Sequence, residues 1–103
     1  MYMQRVSIYP NPANIAEVRT LLIERAKARQ ASGIRVAISE VVAGSKTPQF
    51  LVSTLFENLA AFETLRKQDQ TDADFQKFAA KIGSLIREPA AFDLMEVLVQ
   101  MPS

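Results

Sequence analysis

The sequence predicts one α+β domain, an antiparallel four-stranded sheet with helices packed on one face. Three observations predict it. Four segments of strand length are rich in β-branched and aromatic residues. The segments between them repeat apolar residues at helical spacing. Their order along the chain is β-α-β-β-α-α-β. The length of 103 residues suits a single domain. A chain of this mass should expose ~6,000 Å² when folded, against ~17,000 Å² when extended, enough to bury one core. Hydrophobic residues make up 49% and charged residues 22%, a globular rather than a disordered balance.

Residues 2–9 carry β-formers with partial alternation and read as the first strand, broken by Pro10-Asn11-Pro12. Asn14 followed by Glu17 reads as a helix-start box. The helix that follows runs to about Ser32, with Ile15, Val18, Leu22 and Ala26 at helical spacing and Gly33 as its stop. Arg25, Lys27 and Arg29 complement its dipole and read as a solvated helix end. Residues 34–42 and 49–56 form a hairpin about Gly44-Ser45-Lys46-Thr47-Pro48. That turn lacks the spacing of a phosphate loop. Asn58 caps a second helix reaching about Gln68, with Leu59, Phe62 and Leu65 on its apolar side. The polar stretch Asp69 to Asp72 divides it from a third helix, which runs to about Arg87. There Phe75, Phe78, Ala79, Ile82 and Ile86 form the strongest helical stripe, closed by Glu88-Pro89. Residues 91–100 read as the fourth strand. Split βαβ connectivity of this kind gives a ferredoxin-like domain.

A sheet covered on one side should alternate apolar and polar residues. Here the alternation is poor. Phe50, Val52 and Phe56 share one face, with Leu51 and Leu55 opposite. Phe92, Leu94 and Leu98 share one face of the fourth strand, with Met95, Val97, Val99 and Met101 opposite. The helices cover only one face, so a second copy packed sheet to sheet is the expected cover of the other.

The chain has no histidine, cysteine or tryptophan. Thiolate nucleophiles, imidazole bases and zinc–thiolate sites are therefore excluded, and no metal or other cofactor is expected. The net charge of +1 gives no field to attract nucleic acid or an anionic membrane. The third strand also lacks the glycine and basic residue of an RNA-recognition sheet. No apolar run approaches the ~20 residues of a spanning helix, and no signal peptide is visible, so a cytoplasmic location is expected.

The element order and the run Phe50-Leu-Val-Ser-Thr-Leu-Phe56-Glu57-Asn58-Leu-Ala-Ala-Phe62 resemble the dimeric α+β barrel superfamily, nearest to the antibiotic-biosynthesis-monooxygenase-like group. That group has a strand of the form F-x-x-x-E-x-W leading into a capped helix. This chain departs from the pattern with Thr54 in place of Glu, Phe56 in place of Trp, and Leu65 where His or Trp often follows. The resemblance implies a homodimer joined through its sheets, holding a small apolar or aromatic molecule. For enzymes of the group it implies cofactor-independent oxygenation. Relatives that act on haem use a histidine ligand, which this chain lacks. The expected cavity wall is Phe50, Thr54, Phe56 and Leu65. Arg5, Tyr9 and Glu96 are the polar candidates for positioning or proton transfer. Arg5, Arg35 and Glu96 all fall within strands, and their shared faces depend on a register the sequence leaves open. The alternative is a non-catalytic module that uses its sheet only to dimerise. The two readings separate on cavity content: a binding protein needs an open pocket with convergent polar groups.

Overall fold

A computed structural model describes residues 1–102. The chain runs through β1 (Tyr2–Ile8), a 3-10 turn (Pro12–Asn14), α1 (Ile15–Ala31), β2 (Arg35–Glu40), β3 (Phe50–Phe56), α2 (Leu59–Thr71), α3 (Ala73–Gly83) and β4 (Ala91–Glu96). All strand pairs are antiparallel, in the order β2-β3-β1-β4. This is the predicted ferredoxin-like α+β architecture. Among the described residues no helix is long and apolar enough to cross a membrane.

Local chemistry explains most boundaries. Gly33 adopts φ +85°, the left-handed region open to glycine, and ends α1. The Gly33 N–H donates to the Gln30 carbonyl and that of Ile34 to Arg29, each at 3.0 Å. The Asn58 side chain accepts from the Ala61 N–H at 2.8 Å and starts α2. Asp72 separates the two later helices, because its carboxylate caps α3 through the N–H groups of Asp74 and Phe75.

Several boundaries differ from expectation. Helix α2 runs on to Thr71 rather than ending about Gln68, so only Asp72 of the polar stretch interrupts it, and β2 spans Arg35–Glu40 rather than 34–42. Asn14 does not cap α1: the 3-10 turn before it already winds the chain, and its backbone (φ −118°, ψ 15°) is not extended as an N-cap requires. Glu17, its expected partner, instead meets Lys81 at 3.2 Å. Helix α3 stops at Gly83, short of Arg87, because the next residues pair with the chain after β1. The Asn11 N–H donates to the Leu85 carbonyl, and the Arg87 N–H to that of Tyr9. Strand β4 stops at Glu96, short of Gln100, because β1 runs out of partners: Glu96 faces Tyr2, and Val97 reaches the Met1 carbonyl.

The core gathers at the end of the sheet where β1 stops. Ile8 and Phe50 meet Val18 and Leu22 of α1 and Ile82 and Leu85 around the end of α3. Beside it, the Arg87 guanidinium donates to the carbonyls of Pro10, Pro48 and Lys46 at 3.0, 2.8 and 2.8 Å. It also lies 5.5 Å from the Tyr9 ring centre. One side chain thus ties the β2–β3 loop to the ends of β1 and α3. A lysine carries the charge but not the fork. In urea titrations, Arg87→Lys should lose about 2 kcal/mol and Asn58→Ala about 1 kcal/mol of folding stability.

Candidate functional site

Strand register decides which side chains face the helices. From β1 and β3 these are Tyr2, Gln4, Val6, Ile8, Phe50, Val52, Thr54 and Phe56. From β2 and β4 they are Val36, Ile38, Glu40, Phe92, Leu94 and Glu96. The open face carries Met3, Arg5, Leu51, Leu55, Arg35, Asp93 and Met95. It is more polar than the sequence pattern suggested, because Val97, Val99 and Met101 lie beyond the end of β4 rather than on it.

The helices do not close fully onto the sheet. Against the core, whose Ile8, Leu22 and Ile82 it shares, a cavity of about 260 Å³ lies between the two layers. Val6, Ile38 and Val52 lie on its floor, and Leu22, Ala26, Leu65, Phe75, Phe78 and Ile82 enclose it from the helices. Short side chains at Ala26, Val36 and Val52 leave this space unfilled. A second depression shares Gln4, Leu65, Asp69, Phe75 and Phe92 with the cavity and extends it outward past Phe56 and Phe62. Phe92 remains 68% exposed, so the open side lies along β4.

The polar groups of the cavity form two sets. Gln4 and Thr54 are directly opposed across β1 and β3 on the floor. The second set is a clasp between α1 and the α2–α3 elbow. Arg29 holds Asp69 at 2.7 Å, and Arg25 stands 3.7 Å from Asp72. Both guanidinium groups lie 5.2 Å from the Phe75 ring centre, and Arg25 lies 5.9 Å from that of Phe78. Their side chains are 20% and 13% exposed, so Arg25 and Arg29 are not the solvated helix end expected from the sequence. The signal was present: positions 18, 22, 25 and 29 repeat at i, i+4, i+7 and i+11, the spacing of a buried face. Lys27, off that face, is exposed. The Phe75 N–H, supported by that of Asp74 and by the Arg25 charge, holds the Asp72 carboxyl below its ordinary range against the opposing effect of burial.

The residues expected from sequence are distributed unevenly. Thr54 and Leu65 line the cavity. Phe56 lines the adjoining depression and meets Phe62 edge-to-face at 5.5 Å. Phe50 is only 1% exposed and belongs to the core. Arg5 lies on the open face, Glu96 lies on the helix side opposite Tyr2, and Tyr9 is buried beyond the other end of β1 beneath Lys46 and Arg87. These three do not converge. The polar residues that do line one cavity are Gln4, Thr54, Arg25, Arg29 and Asp69, of which only Thr54 was anticipated there.

No protein-family model matches the chain, and no significant match exists among curated proteins. Solved structures do match. A provisionally assigned antibiotic biosynthesis monooxygenase from Deinococcus radiodurans aligns with a TM-score of 0.77 at 19% identity, covering 100% of this chain and 98% of that one. Rv0793 from Mycobacterium tuberculosis aligns at 0.77 and 16% identity, covering 98% of both chains. An uncharacterized NIPSNAP domain protein from Burkholderia xenovorans aligns at 0.80 and 10% identity, covering 100% of both. At these identities the likeness is one of fold.

Two predictions follow from the clasp. Asp69→Asn removes one partner of a largely buried pair and should cost about 2 kcal/mol, with faster amide exchange over residues 66–76. Asp72 has a lowered folded pKa, so its contribution is complete above the ordinary aspartate value of ~3.9 and is lost as pH falls through the folded value. Asp72→Asn, which keeps a capping oxygen, should flatten the acid limb of a stability–pH curve below about pH 4 and leave the neutral region little changed.

Proposed function

We propose that this protein binds a small apolar or aromatic molecule in the cavity between its sheet and helices. The observation that carries the reading is the cavity itself: about 260 Å³ of space, largely apolar, with a few polar side chains converging on it. A module built only for assembly has no use for such a void, which forfeits packing contacts. Gln4, Thr54 and Arg25 are the polar groups placed to orient the ligand, a role the sequence alone suggested for Arg5, Tyr9 and Glu96. Likeness in fold to a protein named as an antibiotic biosynthesis monooxygenase makes cofactor-independent oxygenation the reaction to test first.

The same reading includes a homodimer joined through the open sheet face. The chain exposes 6753 Å², more than the ~6,000 Å² expected of a folded monomer of its mass. Leu98, Val99 and Met101 are 85–91% exposed at the end of β4, adjoining the open face with its Met3, Leu51, Leu55 and Met95.

Fluorescence titration with the neutral probe N-phenyl-1-naphthylamine tests the binding reading. Saturable enhancement is expected, and Val52→Phe, which fills the floor, should weaken it at least tenfold while preserving the fold by circular dichroism. No saturable binding would overturn the reading. Native mass spectrometry tests the assembly: the main species should have twice the 11.5 kDa chain mass. A monomer at micromolar concentration would contradict the sheet-to-sheet dimer.

A further inference from the structure

Taking the cavity as a ligand site, we infer that its ligand is an apolar carboxylate whose head is held by Arg25. The two arginines of the clasp are not equivalent. Arg29 is satisfied, with Nη2 donating to Asp69 at 2.7 Å. Arg25 is not. Its Nε is buried without a hydrogen-bond partner, and is alone in that among side-chain atoms of the described residues. The nearest carboxylate oxygen, Asp72 Oδ2, lies 3.7 Å from Nη2, beyond hydrogen-bond distance, and no acceptor lies within that distance of Nε.

A buried charged donor without an acceptor is rare in folded proteins and calls for a partner. Arg25 lines the cavity, so an occupant could supply that partner. Its guanidinium sits beside the rings of Phe75 and Phe78, an apolar setting in which an anion gains more than it would in water. A carboxylate matches the fork of Nε–H and an adjacent Nη–H with two parallel bonds, which a lone carbonyl cannot. Asp69 also lines the cavity, but its charge is answered by Arg29. The apolar walls take the rest of the molecule, which confines its charge to one end.

Two probes of nearly equal shape decide the question: 2-naphthoate and the neutral 2-acetylnaphthalene, each displacing N-phenyl-1-naphthylamine. In the wild-type protein 2-naphthoate should bind at least tenfold more tightly. Arg25→Lys keeps a positive charge but removes Nε–H, and should reduce that preference to threefold or less in a protein still folded by circular dichroism. Equal affinities in the wild-type protein would overturn the inference without needing any variant. So would a preference that Arg25→Lys leaves unchanged. Probe binding without a carboxylate preference refutes the carboxylate head alone. Failure of all three compounds to bind refutes the ligand site with it.

Discussion

The clasp between α1 and the α2–α3 elbow is the interaction on which the cavity depends. Helix α1 packs directly into the core through Val18 and Leu22. Helices α2 and α3 lack that continuous apolar footing near their junction, where Asp69 and Asp72 face two arginines across α1. The ion pair and the Arg–Phe75 contacts bring the elbow over the sheet without filling the space beneath it. Polar attachment at the rim and apolar walls below are therefore two sides of one arrangement.

A second constraint comes from the length of β1. It begins at Tyr2, opposite the last residue of β4, and Leu98, Val99 and Met101 follow beyond that strand, exposed. The helices are offset from β4, leaving Phe92 and Leu94 open beside the cavity mouth. Unpaired edges and exposed apolar residues are features that folded chains ordinarily cover. The open face of the sheet adds Arg5 and Asp93, directly opposed in register, amid its methionines and leucines. A second copy seated there has both apolar surface to bury and charges to satisfy.

Much of the fold was legible in the residues. The alternating segments, the stop at Gly33, the cap at Asn58 and a polar break over Asp69 to Asp72, which the structure narrows to Asp72 alone, gave the element order and its topology. Boundaries failed where tertiary pairing decided them. Leu85 to Arg87 look helical by spacing, yet their backbone groups are taken by Tyr9 and Asn11. The site was less legible. Thr54 and Leu65 were found through a resemblance, whereas Gln4 carries no pattern until register sets it opposite Thr54. Arg25 and Arg29 did carry a signal, since they continue the buried stripe of α1. Charge at a helix end reads as solvation unless its face is counted against that stripe. Arg5, Tyr9 and Glu96 could be sorted only by register and by the turn after β1, which depend on contacts across the whole sheet.

The most direct test of the cavity as a ligand site is methyl NMR of isoleucine-labelled protein titrated with naphthalene. Ile8, Ile38, Ile82 and Ile86 line the cavity, while Ile15, Ile23 and Ile34 lie outside it. Saturable shifts among the first four, with the other three unmoved, are the expected result. Shifts confined to Ile15, Ile23 or Ile34, or no saturable shift at any of the seven, would contradict a ligand held between the sheet and the helices.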